Sequence, residues 1–224
     1  MELPADLTRE LEKFVGNIDP STKKGRKRLA ILEAAISMFA ESGYRATSMD
    51  ELASEVGVAK GTLYLYFPKK VDLLIACVAY EKLRWVPELS AVLTGSAPAP
   101  ERLKQWIVAV LLLPSRSPLM LRLLEDAEMA AMLADIPPEL MSEGEHFNEE
   151  LLQPLLDEVA GPEHRWSPVE LRDRVQVIAS LSHIAPALRY ESLRPGMSPE
   201  RFAAILADFV VDGIRPRPEG DQST

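Results

Sequence analysis

The stretch that decides the fold covers residues 43–74 and reads GYRATSMDELASEVGVAKGTLYLYFPKKVDLL. Residues 49–56 carry apolar side chains at helical spacing; a break at Gly57 follows, and then a second such segment with Leu63 and Phe67. This pattern predicts two short helices joined by a tight turn. A helix-turn-helix of this kind places its second helix in the major groove of DNA, while its first helix crosses the phosphate backbone.

Polar side chains stand between the apolar ones of the predicted second helix. Lys60, Thr62 and Tyr64 lie on or near the face that the core does not use. Gly61 has no Cβ, which permits a close approach of its backbone to DNA. We therefore expect residues 59–67 to form the DNA-reading helix.

These residues resemble the sequence pattern of the TetR family of transcriptional regulators. The matching pieces are FAESGY at residues 39–44, Thr47 with Ser48, ASEVGV at 53–58, and GTLYLYF at 61–67 with Lys70 beyond it. The resemblance ends near residue 86. It implies an all-α protein with an N-terminal three-helix DNA-binding domain and a C-terminal helical domain for ligand binding and dimerisation.

The residues and the resemblance together give a set of expected DNA contacts. Ser48 and Glu51 match a capping box, with Thr47 as an alternative cap, and either hydroxyl is also placed to meet a phosphate. Two departures from the family pattern limit the set. Ala59 replaces a frequent serine, which removes an N-cap worth about 1 kcal/mol, and Leu65 stands where polar residues are common, so we assign it no base contact. The expected contacts are Thr47, Ser48, Lys60, Gly61, Thr62, Tyr64, Tyr66 and Lys70.

Charge is distributed unevenly along the chain. The net charge is −9, which taken alone argues against binding to nucleic acid. Residues 21–70 nevertheless hold nine Lys or Arg against five acids, a local charge of +4, so the remainder carries −13. A basic end on an acidic body suits a protein that presents one face to phosphates.

Cysteine use and hydropathy bear on location. Cys77 is the one cysteine of the 224 residues, so no disulfide forms within a chain, and a reducing compartment fits best. The N-terminus lacks the apolar segment of a secretion signal, and no run of about 18 apolar residues occurs. We predict a cytoplasmic protein with no membrane segment.

The remaining sequence reads as helices separated by prolines. We expect a helix at 26–41 that ends at Gly43, a helix from Lys69 that stops at Pro87, and a kink at Pro186 inside a helix at 168–193. Further helices are expected at 101–113, 118–135, 138–160 and 198–214. The predicted organisation is an N-terminal extension at 1–22, a helix-turn-helix domain at 23–70, an effector-binding and dimerisation domain at 71–215 and a flexible tail at 216–224.

Two N-terminal segments have more than one interpretation. Residues 1–20 hold a short amphipathic pattern, for which a frayed or lightly docked tail is favoured over a functional element. The basic run at 23–28 fits an arm that reaches DNA as well as it fits a solvated charge run.

The C-terminal two thirds of the predicted fold offers two further sets of residues. The resemblance implies that the last two helices pair with their copies in a second subunit, which gives a dimer face at Val175, Ile178, Leu181, Phe202, Ile205 and Phe209. Methionine adapts to irregular space, which favours a chamber for an apolar effector, although each such residue is more often plain core. The candidate effector residues are Trp106, Met120, Leu124, Met129, Met132 and Phe147.

Enzyme activity is not expected. Glu143 and His146 have the spacing of a di-iron helix motif, but no second copy exists, and the three histidines lack metal-ligand spacing. We predict no catalytic residue, metal or cofactor. The predicted function is a homodimeric repressor that binds a palindromic DNA operator and is released by a small apolar or amphipathic effector. Two alternatives stay open: a regulator of the same fold whose ligand promotes DNA binding or which has no ligand, and a helical protein-interaction or carrier module.

Overall fold

The computed structural model describes residues 5–134, 152–161 and 166–214, and within them it contains helices and turns but no strand. The predicted all-α class is confirmed. Short 3-10 helices occur at Leu113–Arg116, Leu181–Arg189 and Glu191–Leu193. The α-helices are α1 (Ala5–Val15), α2 (Lys23–Ala46), α3 (Met49–Glu55), α4 (Lys60–Tyr66), α5 (Lys70–Thr94), α6 (Ala99–Leu112), α7 (Pro118–Glu125), α8 (Ala127–Ala134), α9 (152–160), α10 (Pro168–Ser180) and α11 (Pro199–Ile214).

The chain forms two compact units. Among the described residues, the reader unit comprises 5–87 and 114–134, and the body unit comprises 88–113, 152–161 and 166–214. The chain therefore leaves the reader unit inside α5 and returns to it before α7. The division predicted from the sequence had a single boundary between the DNA-binding and effector-binding domains, after residue 70.

Helix α2 supplies the spine of the reader unit. Ile31, Leu32, Ala35 and Phe39 are fully buried and recur at the spacing of one helical face. Helix α7 packs against α2 and buries Leu119 in the same core. Helices α3, α4 and α5 complete this core, each through side chains that are at most 2% exposed: Leu52, Leu63, Phe67, Leu73 and Leu74.

Helix α1 packs on this core through its last turn, so residues 5–15 are not frayed and the docked alternative fits them. Val15 is 1% exposed. Its carbonyl accepts a hydrogen bond from the Arg28 guanidinium, which also lies 4.4 Å from the centre of the Phe67 ring. Burial lowers the pKa of Arg28. The guanidinium thus joins α1, α2 and the end of α4.

The basic run at 23–28 forms the start of α2. Thr22 caps this helix by accepting a hydrogen bond from the Gly25 amide at 2.9 Å. The helix therefore begins three residues before the predicted start, and a DNA contact by this basic run stays a prediction. Lys23, Lys24 and Arg26 remain exposed on the surface.

The end of α2 is set by Gly43, as predicted. Its φ is +77° and its ψ is 176°, so the helix breaks there, although helical hydrogen bonding resumes as far as Ala46. A side chain is strained at this φ. A Cβ would also come within 3.0 Å of the Arg122 guanidinium.

Pro87 does not end α5, and the predicted stop is wrong. The helix continues to Thr94, because proline removes one backbone hydrogen bond without preventing the helical φ that it already favours. The boundary between the two units nevertheless falls at Pro87.

The body unit is built on α6 and α11. Ala203, Ala207 and Val211 are fully buried at four-residue spacing, and their small size lets α6 approach closely. Lys104 of α6 pairs with Asp208 of α11, with 2.5 Å between Nζ and Oδ1. The remaining core of this unit includes Leu103, Ile107, Leu111, Leu152, Leu155, Val175 and Ile178.

The predicted kink near Pro186 is instead a change of helix type. Helix α10 ends at Ser180, and a 3-10 helix continues from Leu181 to Arg189. Proline removes the amide that an α-helix would bond to residue 182, so the tighter helix is adopted ahead of it. Among the described helices, none is both long and apolar enough to cross a membrane.

Candidate nucleic-acid interface

Helices α3 and α4 meet at a turn that a glycine makes possible. Gly57 has φ +65°, and the Val58 amide donates to the Ala53 carbonyl at 2.9 Å. Ser48 caps the start of α3, because its Oγ accepts hydrogen bonds from the amides of Asp50 at 3.2 Å and Glu51 at 3.4 Å. The predicted cap at Ser48 is confirmed.

Helix α4 is anchored by one residue and exposed around it. Leu63 is fully buried, and Ala59 at the N-cap makes no side-chain cap hydrogen bond. Lys60 and Gly61 are exposed and Thr62 is half-buried. Tyr64 is 39% exposed. These four expected DNA contacts therefore lie on the accessible part of one short helix.

Lys60 already faces an anion in the protein itself. Its Nζ lies 2.7 Å from Asp50 Oδ2, and both side chains are more than half exposed. The hydrogen bond with Asp50, and then the charge of Asp50, raise the pKa of Lys60. The pair joins α3 to α4 and keeps the ammonium at the start of the reading helix.

Thr47 is turned into the protein. It is 2% exposed, and its hydroxyl donates to the Gly43 carbonyl at 2.8 Å. This hydrogen bond satisfies the hydroxyl at the break of α2. The structure therefore gives Thr47 neither the capping role nor an accessible hydroxyl for a phosphate, whereas Ser48 remains half-buried at the α3 terminus.

Lys70 is also engaged by its own chain. Its Nζ donates to the carbonyls of Tyr44 at 2.6 Å, Thr47 at 2.9 Å and Arg45 at 3.4 Å, and it lies 4.4 Å from the Tyr44 ring centre. These carbonyls end α2, where the helix dipole favours a cation. Burial lowers the pKa of Lys70. In this structure the Lys70 ammonium caps the C-terminal end of α2 by bonding its last carbonyls. A phosphate contact by Lys70 stays a prediction.

Tyr66 links the end of α4 to the start of α2. Its hydroxyl donates to the Lys24 carbonyl at 3.5 Å. This contact brings the exposed lysines at the start of α2 beside the reading helix. A phosphate contact by the Tyr66 hydroxyl also stays a prediction.

Leu65 is the residue of α4 that sequence reasoning set aside. It is 85% exposed, the highest value among the large apolar side chains that the structure describes. Two residues on a helix turn through about 200°, so Leu65 points almost directly away from the anchor Leu63. The spacing of Leu63 and Phe67 in the sequence already contained this signal, because it fixes which side of the helix faces inward.

Known proteins match the region just described. The family model described as bacterial regulatory proteins of the tetR family matches residues 31–77. The fatty acid metabolism regulator protein of Bacillus subtilis is 33% identical over 81 residues, so the match spans 36% of this chain and less than half, 42%, of that protein. The transcriptional regulator RutR of Escherichia coli is 27% identical over 219 residues, covering 90% of this chain and 99% of RutR.

The fold extends the match beyond the helix-turn-helix. The crystal structure of the regulator FadR from Bacillus subtilis in complex with stearoyl-CoA superposes with a TM-score of 0.62. The match covers 83% of this chain and 98% of FadR at 19% identity, so this likeness concerns the fold. The match to the tetR family model therefore concerns the helix-turn-helix region, and over the rest of the chain the likeness is one of fold. The residues that the family model matches enclose α3 and α4.

The candidate effector residues do not form one cluster. Trp106 lies in the core of the body unit, 4% exposed, and its indole N–H has no hydrogen-bond partner among the described residues. Met129 is fully buried in the reader unit, where Met120 and Met132 are partly buried. The Leu124 side chain and Phe147 lie outside the described residues.

The expected dimer face is divided between the inside and the outside of the body unit. Val175 and Ile178 are at most 3% exposed and Leu181 is 9% exposed, so these side chains are core and do not form a surface. Phe202 and Ile205 are half-buried, and Phe209 is 72% exposed. On α10 the exposed apolar side chains are instead Val169 and Val177, and Ile184 follows in the 3-10 helix.

Proposed function

We propose that this protein is a cytoplasmic homodimeric regulator of the TetR type that represses transcription by binding a palindromic operator and releases it when an apolar or amphipathic small molecule binds. The accessible face of α4 carries this proposal. A helix held by a single buried leucine presents a lysine, a glycine and a tyrosine to solvent, within the chain segment 21–70 that carries excess positive charge.

Dimerisation would supply the second reading helix. A palindromic operator presents equivalent half-sites about 34 Å apart, or a multiple of that distance, which calls for two copies of α4 related by two-fold symmetry. The outer faces of α10 and α11 support self-association, because Val177 and Phe209 expose large apolar surfaces there. We assign the dimer contact to this outer face and remove Val175, Ile178 and Leu181 from it.

The reader unit itself offers a connection for a signal. Arg45, just past the break in α2, donates to Glu128 of α8 at 2.6 Å. The hydrogen bond to Glu128 raises the pKa of Arg45. Helix α7 packs on α2. An effector that prefers one position of α7 and α8 would bias the end of α2 by as much as it prefers that position.

The ligand class follows from a neighbour in fold. FadR from Bacillus subtilis was crystallised with stearoyl-CoA. The present chain has an apolar body, so long-chain acyl thioesters are the first effectors to test.

Operator selection tests the proposal. The full-length protein is incubated with random duplex DNA, bound sequences are recovered, and affinity is measured over a range of salt concentrations. We expect a palindrome, and we expect Lys60→Ala to weaken binding and to reduce the salt slope by about 0.9 for each phosphate that is no longer neutralised. Lys104→Ala removes a lysine of the body unit, and once sedimentation shows that the loss of its pair with Asp208 keeps the oligomeric state, it should leave both quantities unchanged. Failure to enrich any sequence would favour a helical interaction or carrier module.

Addition of acyl-CoA to the operator complex then separates the regulator types. Release of DNA supports the proposed repressor, and tighter binding supports a regulator whose ligand promotes DNA binding. Binding of the operator that no acyl-CoA alters would contradict this ligand class.

A further inference from the structure

Leu65 occupies the centre of the face that α4 turns to solvent. It lies opposite the buried anchor Leu63 and is 85% exposed. Exposing a leucine to water gives up the free energy that its burial would provide. On a helix of seven residues it is also the largest exposed apolar surface, so it dominates whatever that face touches.

Gly61 shares this face and keeps it open. It lies four residues before Leu65, so the two positions are neighbours along one helical line. No atom is found within 4 Å of the position that a Cβ on Gly61 would take. The outer face of α4 therefore has no side chain at Gly61, near its start, and has the exposed side chain of Leu65 as an apolar projection near its end.

Exposed lysines precede and follow Leu65 along the chain. Lys60 is exposed at the start of α4, and Lys69 is exposed beyond its end. The contact of the Tyr66 hydroxyl with the Lys24 carbonyl brings the exposed start of α2 to the same end of the helix. The carboxylate of Asp50 approaches the outer face of α4 through its pair with Lys60.

We propose that Leu65 determines part of the operator sequence by contacting the C5-methyl group of a thymine in the major groove. This inference rests on the proposed function and adds a base preference to it. The major groove has phosphates along its borders and base edges at its floor, and the thymine methyl is its apolar group. An apolar side chain with lysines before and after it complements a groove that has a methyl group at its floor and phosphates along its borders.

The other base edges are poorer partners for this residue. Guanine, adenine and cytosine present hydrogen-bond acceptors and donors in the major groove, and a leucine that covers them leaves them unsatisfied. Burial of one methyl group against Leu65 favours thymine over uracil by about fourfold for each half-site. For a palindrome with two such contacts the effect is about sixteenfold.

Methyl removal tests the contact directly. Each thymine of the selected operator is replaced in turn by deoxyuridine, which removes the methyl group and keeps every hydrogen-bonding atom. We expect one thymine of each half-site at which this change weakens wild-type binding about fourfold. With Leu65→Ala the same change should have an effect below about 1.5-fold, because the alanine side chain is too short to reach the methyl group.

Two controls give the remaining outcomes a meaning. Lys60→Ala should weaken binding to the normal and the demethylated operator by the same factor. Sedimentation should show that Leu65→Ala keeps the oligomeric state of the wild type; a change would assign Leu65 to a contact between copies and would overturn the proposal. Equal effects of demethylation on wild type and Leu65→Ala would also overturn it, while operator binding itself would stand. Failure to obtain an operator would instead reject the proposed function.

Discussion

Helices α4 and α11 both expose a large apolar side chain, in opposite electrostatic surroundings. Leu65 on α4 is 85% exposed and has Lys60 on its own helix. Phe209 on α11 is 72% exposed and has beside it the exposed acids Asp208, which pairs with Lys104, and Asp212. Exposed apolar area alone does not identify a partner. The charge around it adds information, because lysines favour phosphates and acids disfavour them.

The two helices also differ in how they are held. Helix α4 has seven residues, no side-chain N-cap and one fully buried side chain. Helix α11 has sixteen residues and three buried side chains at four-residue spacing. Short isolated helices are unstable in water, so α4 exists because its neighbours hold it. The reading face is therefore sensitive to the packing beneath it, and the α11 face is not.

The largest effect is expected at the anchor of α4. Leu63→Ala should lower the free energy of unfolding by about 2–5 kcal/mol, because it leaves a cavity in the reader core. Leu65→Ala, two residues away, should change it by no more than about 0.5 kcal/mol. Denaturant unfolding of both variants measures the difference. Similar losses in the two would mean that the outward face of α4 is packed against something.

Phe209 comes next in expected size. Phe209→Asp should raise the dissociation constant of the dimer at least about 30-fold, as expected for a buried aromatic residue at the centre of an interface. Sedimentation over a concentration series measures this constant. Leu65→Asp is the matched control and should leave self-association unchanged. If Leu65→Asp dissociates the dimer and Phe209→Asp does not, the assignment of the two faces is reversed.

Gly61→Ala should separate folding from binding. Because a Cβ meets open space there, alanine should raise the stability of the free protein by about 0.5–1 kcal/mol through helix propensity. The same Cβ should weaken operator binding about tenfold, by the cost of overpacking an interface. Gly57→Ala is the contrast, since its φ of +65° makes alanine strained and destabilising. Thermal unfolding and operator titration of both variants measure these changes in stability and affinity. Unaltered operator affinity in Gly61→Ala would show that the backbone at Gly61 does not approach DNA closely.

The smallest effect concerns Asp50. Asp50→Asn removes the charge that Lys60 faces at 2.7 Å. We expect operator affinity to rise about twofold to fivefold at low salt, because an exposed ion pair is worth up to about 1 kcal/mol. The gain should vanish at high salt, where such charges are screened. Titrations at two salt concentrations test this, and weaker binding of Asp50→Asn would show that the pair holds Lys60 in its binding position.

Local patterns predicted much of the reader unit. The cap at Ser48, the break at Gly43 and the uncapped start of α4 depend on residues within a few positions of one another, so the sequence already contains their causes. The Thr47 contact is equally local, because its hydroxyl donates to the Gly43 carbonyl four residues away, and the sequence prediction missed it. Lys70 behaves differently. Its ammonium contacts carbonyls at the end of α2 that lie 23 to 26 residues away along the chain. No short motif records such contacts.

The body unit shows where helical periodicity stops being informative. The stripe of Val175 and Ile178 on α10 was correctly identified as apolar, but it faces the core. Val177 lies outside that stripe and is 63% exposed. Periodicity shows that residues share a face, and only the packing of the other helices shows whether that face is inside or at a subunit contact. The misplaced stop at Pro87 has a different cause, because proline already favours the helical φ and removes one backbone hydrogen bond of a 25-residue helix.

The return of the chain to the reader unit limits how the DNA-binding part can be exchanged between relatives. Leu119, Leu123 and Met129 come from residues after 113 and are at most 4% exposed in the same core as α2. A gene fragment that ended after α5 would encode every expected DNA contact. It would also expose to water the side of α2 that α7 and α8 cover. A functional chimaera must therefore carry residues 114–134 together with the first 87. The part that can be exchanged is defined by which residues share a core, and it is not one continuous piece of the chain.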